Sequence, residues 1–183
     1  MTADLPPSVP LDDIRIWCSV EASARYGLPP DLVYAVSRTE GGRPGLASEN
    51  SNGTFDLGWM QFNTSYLDTL GRYGIRPSDV QQNTCYPFHL AAWRIRGHLE
   101  EAGGAGIFER AAWYHSRTPR FNEIYRGRLM EAARMFDWGK AGRFWSAMSQ
   151  TGAFASGGGG RQVFEIKGVV AAAPYDQAWI PAK

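Results

Sequence analysis

Apolar residues recur at helical spacing along most of the chain. Between residues 11 and 26, Ile14, Trp17, Cys18 and Ala22 follow a 3.6-residue repeat, and Gly27 supplies a stop. Pro29 and Pro30 open a second helix with Leu32, Val33, Ala35 and Val36 on its apolar side, closed by Gly41 and Gly42. The period is lost over residues 43–56, which are rich in Gly, Ser and Asn and contain the turn pair Asn52 and Gly53. A small β-hairpin or ordered loop near residues 47–56 is the one piece of β-structure this pattern predicts in the main domain. The helical pattern returns over 60–73, with a break at Asn63, Thr64 and Ser65 where Thr64 or Ser65 can cap a new turn. Gly74 and Pro77 punctuate. Residues 88–99 put Leu90, Ala91, Ile95 and Leu99 on one side, 107–114 read as a short helix, and 122–138 as a longer one carrying Ile124, Tyr125, Leu129, Ala132, Ala133 and Phe136.

The expected fold is therefore mainly α, in three parts: a lead-in over 1–10 weakened by Pro6, Pro7 and Pro10, a helical domain over 11–138, and a flexible C-terminal extension over 139–183. Within the extension, 144–148 can form one more helical turn, 157–160 are a glycine break, and 163–170 can pair as a strand if an edge is offered. A length of 183 residues and a mass of 20.3 kDa suit one domain with a tail. Nineteen basic against eighteen acidic residues leave a net charge of +1, which argues against a partner held by phosphate neutralisation, so no nucleic acid is expected. No run approaches the roughly 20 apolar residues needed to span a bilayer. The first residues carry neither a basic start nor an apolar run, so the expectation is a cytoplasmic chain or one whose leader has been trimmed. Aromatics make up 13% of the chain, an excess that suits packing or a cleft for flat, amphipathic ligands such as sugars.

The motifs of phosphate loops, nucleophile elbows, zinc proteases and dinucleotide folds are missing, so neither a cofactor nor a metal is expected. Cys18 and Cys85 are too few for a four-thiolate zinc site, and His89, His98 and His115 lack finger spacing. The cysteines are either buried thiols or a disulfide, and a disulfide implies an oxidising compartment. Glu40 ends the apolar segment 32–40 just before two glycines. The negative end of a helix dipole and partial burial both raise a carboxyl's pKa, which is what a general acid needs. A solvated side chain in a frayed last turn is the alternative reading.

Residues 48–63 follow this glutamate, with Gly58, Trp59, Met60 and Gln61 at their end, and Ala111, Ala112, Trp113, Tyr114 and His115 come later. With Cys18, Glu40 and Cys85, this ordered set resembles the lytic transglycosylases of the goose-type lysozyme superfamily (glycoside hydrolase family 23), over roughly residues 17–129. The nearest likeness is to the small branch associated with conjugation and with type IV and type III secretion. The resemblance implies a lysozyme-like helical domain in which Glu40 is the catalytic acid. It implies a substrate-binding set of Ser48, Gln61, Tyr114, His115 and Tyr125, with Tyr125 either facing the cleft or in the core. Two positions depart from the family pattern: Gly41 stands where a Ser usually follows the acid, and His115 where an Asn follows the Tyr. Trp59 and Met60 are expected to pack, although Trp59 can also serve as a sugar platform. The branch pairs its cysteines, which implies a Cys18–Cys85 disulfide and a periplasmic location.

The resemblance also implies a single-carboxylate mechanism, unlike glycosidases that use two. Glu40 would protonate the bond between N-acetylmuramic acid (MurNAc) and N-acetylglucosamine (GlcNAc), then accept the proton of the muramoyl C6 hydroxyl as a 1,6-anhydro ring closes. Asp56 is expected as a capping or turn residue, and Glu49 as a solvated one. If Asp56 reached the cleft with a water, hydrolysis would become the expectation. The implied partners are peptidoglycan strands and, through 139–183, proteins of a secretion or conjugation apparatus. The alternatives are a goose-type lysozyme hydrolase and a wall-binding assembly factor with weak catalysis.

Overall fold

A computed structural model of the chain describes residues 9–101 and 105–150, together with the backbone of the strands Val163–Ile166 and Val169–Ala172. Helix α1, Leu11–Tyr26, ends as the pattern predicts, with Gly27 in the left-handed conformation at φ 62°. Helix α2, Pro30–Glu40, starts with proline in its first turn, where the missing N–H has no intrahelical partner to lose, and closes on left-handed Gly41. The next residues form an antiparallel sheet in the order β1 (Ala47–Glu49), β2 (Phe55–Leu57), β3 (Phe62–Asn63). Asn50, Asn52 and Gly53 make the turn between the first two strands, Gly53 N donating to Asn50 O at 2.9 Å and Thr54 N to the Asn52 side chain at 3.1 Å. The hairpin thus gains a third strand that the helical reading of 60–73 did not foresee. Helix α3, Thr64–Leu70, starts only after it, and its cap is Asn63, whose side chain accepts from Ser65 N, rather than Thr64 or Ser65.

Helices α4 (Pro77–Gln82), α5 (Tyr86–Glu100), α6 (Ile107–Ala111) and α7 (Pro119–Ala133) complete the main body, with a short 3-10 turn at Ala112–Tyr114 after α6. Helix α7 stops before Phe136 because the chain restarts at helix α8, Trp138–Gln150, where the Asp137 side chain accepts from Lys140 N at 2.9 Å. This thirteen-residue helix replaces the single turn expected over 144–148. Its Ala141 and Met148 are buried with Ile16, Val20, Tyr34 and Phe136. Residues 139–150 are therefore packed on α1 and do not belong to a flexible extension. The extension expected over 151–183 lies outside the described residues except for the strand backbones β4 (Val163–Ile166) and β5 (Val169–Ala172), which pair antiparallel with each other. The lead-in expected over 1–10 also lies outside them up to residue 8, and Val9 packs on the core.

Two clusters of buried side chains flank α1. The larger joins α1, α2, the sheet, α5 and α7 around Trp59, Met60, Phe62 and Phe88, and the smaller holds α8. A disulfide between Cys18 and Cys85, with Cα atoms 4.9 Å apart, ties α1 to the start of α5. One close approach in the body is backbone to backbone. A Cβ on Gly42 would stand 2.0 Å from Gly58 O and 2.7 Å from Trp59 O, so only glycine lets the end of α2 lie against the segment that follows β2. No described helix is long and apolar enough to cross a membrane.

Candidate active site

Glu40 is the last residue of α2, and the close approach at Gly42 sets it beside the sheet. It is half-buried, and the Tyr125 hydroxyl, brought across by α7, donates to its Oε1. Burial pushes the Glu40 carboxyl up to about 7; the Tyr125 hydrogen bond opposes the rise, the Asp56 charge adds to it, and the Arg94 cation opposes it. This is the partly desolvated terminal glutamate expected from the pattern, and not a frayed, solvated one. Gly41 takes the left-handed C-cap position at φ 67°, which gives a physical reason for glycine at this position.

Asp56 is not a cap. It occupies the middle of the central strand, in register with Ser48 on one side and Asn63 on the other. Register partners share a face of the sheet, so Ser48, Asp56 and Asn63 form one polar row, while Leu57 and Phe62 enter the core from the opposite face. Asn63 Nδ2 donates to Asp56 Oδ1 at 2.8 Å and to Thr54 Oγ1 at 2.9 Å, which anchors the row. The Asp56 charge is felt at Glu40, Tyr114 and His115.

Gln61 has φ 48°, the one non-glycine left-handed residue among those described. Its Nε2 donates to Gly58 O at 2.8 Å, so the amide oxygen is the end left to meet a ligand. Tyr114 is buried, and its hydroxyl donates to Met60 O at 2.8 Å, a bond that joins the 112–114 turn to the 58–61 segment. Tyr125 is buried, only 4% exposed, and its hydroxyl reaches Glu40. His115 is exposed and lies parallel on the Tyr125 ring, with centroids 4.8 Å apart and planes 7° off parallel. Partial burial and the neighbouring Arg128 charge hold its imidazole below the usual range, against the pull of Asp56. Ser48 sits on the edge strand, partly buried, at the end of the polar row. Trp59 is fully buried, tilted on Phe88 at 5.8 Å and beneath the Arg15 guanidinium at 5.0 Å, so it packs and offers no sugar platform.

Three polar residues at the site escaped the sequence reading. Arg15 donates to Gly42 O at 2.9 Å, Asn63 braces Asp56, and Arg94 lies over the rings of Tyr66 and Tyr114. A signal existed for Arg94: it falls at helical spacing from Leu90 and Ala91, a charge set in an apolar stripe.

Chemically, the arrangement offers one carboxyl that holds its proton near neutrality, a phenol donating to it, and a second carboxylate within electrostatic reach.

No family model matches the chain. It is similar to the Invasion protein IagB of Salmonella typhimurium, 30% identical over 95 residues that cover 48% of this chain and 59% of that protein. The protein of the same name in Salmonella typhi matches to the same extent. The X polypeptide of Escherichia coli is 25% identical over 130 residues, covering 69% of this chain and 76% of its own length. The chain thus spans 59% of the length of the IagB relatives it matches.

Proposed function

We propose that this chain is a peptidoglycan lytic transglycosylase that cleaves the β-1,4 bond between MurNAc and GlcNAc with formation of a 1,6-anhydro-MurNAc end. The observation that carries this reading is the state of Glu40: desolvation raises it to about 7 while the Tyr125 hydroxyl grips one of its oxygens. Oε1 is engaged by the phenol, so Oε2 is the atom that holds and delivers the proton. Glu40 protonates the glycosidic oxygen and the bond breaks toward an oxocarbenium or oxazolinium species, assisted by the substrate's own acetamido group. The carboxylate so formed keeps the Tyr125 hydrogen bond, which stabilises its charge. It then takes the C6 hydroxyl proton as that oxygen closes on the anomeric carbon, and no water is consumed. In this reading Gln61 Oε1, His115 and the polar row that ends at Ser48 hold the glycan.

The disulfide and the similarity to a protein named for invasion support the wider reading. In it the chain works in the periplasm and opens the wall locally for a secretion or conjugation apparatus. Asp56 supports a second reading, because a carboxylate on the central strand whose charge is felt at Glu40 is placed as the partner that hydrolysis requires. Mass spectrometry of digested peptidoglycan separates the two. Anhydro-ended muropeptides are expected; reducing ends would make the chain a lysozyme-type hydrolase. Glu40→Gln is expected to abolish digestion, and an undiminished rate would remove Glu40 from the chemistry.

A further inference from the structure

Arg94 leaves the middle of α5 and lies between two aromatic rings. Its guanidinium carbon stands 4.4 Å from the centre of the Tyr66 ring and 4.7 Å from that of Tyr114. Both rings are themselves held, Tyr114 by its hydroxyl on Met60 O and Tyr66 by stacking on Phe62 at 6.1 Å. Contact with the rings fixes the cation and leaves its N–H edge available. The chain does not use that edge: among the described residues Arg94 makes no hydrogen bond or ion pair. Arg38, by contrast, meets Asp12 at 2.9 Å, and Arg15 donates to Gly42 O. Arg94 is only half-buried, and none of its nitrogens is a buried atom left without a partner, so its fork opens to solvent. Its charge is felt at Glu40, Tyr114 and Tyr125, which puts that fork beside the candidate acid.

A fixed, solvent-facing guanidinium with unused donors matches a carboxylate in a paired, fork-to-fork contact. The sugar rings of the proposed substrate are neutral, and its negative charge lies on the substituent at the muramoyl 3-oxygen. We infer that Arg94 is a carboxylate-binding fork that reads the acid group on the muramoyl 3-O-lactyl substituent. This assignment rests on the reading above for its ligand, a muramoyl glycan, and not on the cleavage step. The carboxylate has two sources: the lactyl group itself where the peptide has been removed, or the stem peptide where it remains.

The test compares four substrates for the full chain at pH 5, where Glu40 keeps its proton. They are peptide-free MurNAc–GlcNAc oligomers with free lactyl carboxylates, the same oligomers as lactyl methylamides, peptide-bearing oligomers, and chitin oligomers. Arg94→Met is expected to raise KM about tenfold on carboxylate-bearing oligomers with kcat little changed, and to leave the methylamide and chitin oligomers unaffected. Arg94→Lys, which keeps the charge without the planar fork, should recover part of the loss. A loss confined to the peptide-free oligomers identifies the lactyl carboxylate, and one confined to peptide-bearing oligomers identifies the stem peptide. An equal loss on the neutral oligomers, or no loss at all, overturns the assignment. Calorimetric binding to Glu40→Gln, with and without Arg94→Met, separates the two levels of inference. If the native chain cleaves nothing yet carboxylate-bearing oligomers bind about tenfold more weakly without Arg94, the cleaving reading falls and the fork stands. If cleavage proceeds and Arg94 alters neither KM nor binding, only the fork falls.

Discussion

Ionising Glu40 in the folded chain means charging an oxygen pair that the fold has already stripped of much of its water. The folded value, about 7, lies above the ordinary 4.5, so between those two values the native state holds a proton that the unfolded chain has released. Stability from this group is full below 4.5 and falls as pH rises to about 7, by on the order of 3 kcal/mol once both states are ionised. Glu40→Gln, which cannot ionise, is therefore expected to raise the melting temperature at pH 8 and to change it little at pH 4. Equal shifts at both would mean that Glu40 ionises without penalty. On the proposed chemistry the same proton governs the rate: kcat/KM should fall above about pH 7, and Asp56→Asn should move that fall to lower pH, since one source of the rise is gone. At this scale the partial burial of Glu40 was foreseeable, because a terminal glutamate on an apolar helix is conspicuous in one dimension. Asp56 was misread because a strand centre and a turn look alike over three residues. Arg94 was passed over because a single charge in an apolar stripe gives no hint of the rings it will meet.

At the scale of elements, the site depends on how closely α2 approaches the segment after β2. Gly42→Ala would force a methyl group into Gly58 O, which must push the two backbones apart and with them Glu40 and Gln61. The expected cost is about 3 kcal/mol, read as a lower urea midpoint, with weaker digestion by whatever remains folded. An unchanged midpoint would show that the two segments part freely. The helices and the hairpin were legible from period and punctuation, and α1 and α2 begin and end where their prolines and glycines place them. The third strand was not, because Phe62 and Asn63 are too few to alternate, and what keeps them out of a helix is left-handed Gln61 together with the cap that Asn63 provides. Helix α8 was underestimated for a different reason. Its exposed Trp145 and half-buried Phe144 obscure a stripe in which Ala141 and Met148 are the buried positions.

Across the whole molecule, the disulfide joins positions 67 apart in sequence, on the first described helix and at the start of α5. In the chain-entropy account such a closure stabilises by about 4 kcal/mol, so reductant, or Cys18→Ala with Cys85→Ala, should lower the denaturation midpoint by a corresponding amount. A midpoint indifferent to reductant would show that the crosslink adds nothing. The pairing could not be read from two isolated cysteines; it followed from the order of motifs around them. The same helix is covered on its other flank from far along the chain, where Lys140 Nζ meets Asp13 Oδ1 at 2.6 Å and Met148 joins Ile16 and Val20. Contacts this distant form late, because the loop between them must close first. During synthesis, then, α1 waits for more than a hundred further residues before its second flank is covered. Throughout that interval the nascent polypeptide exposes an apolar surface to whatever chaperone is at hand.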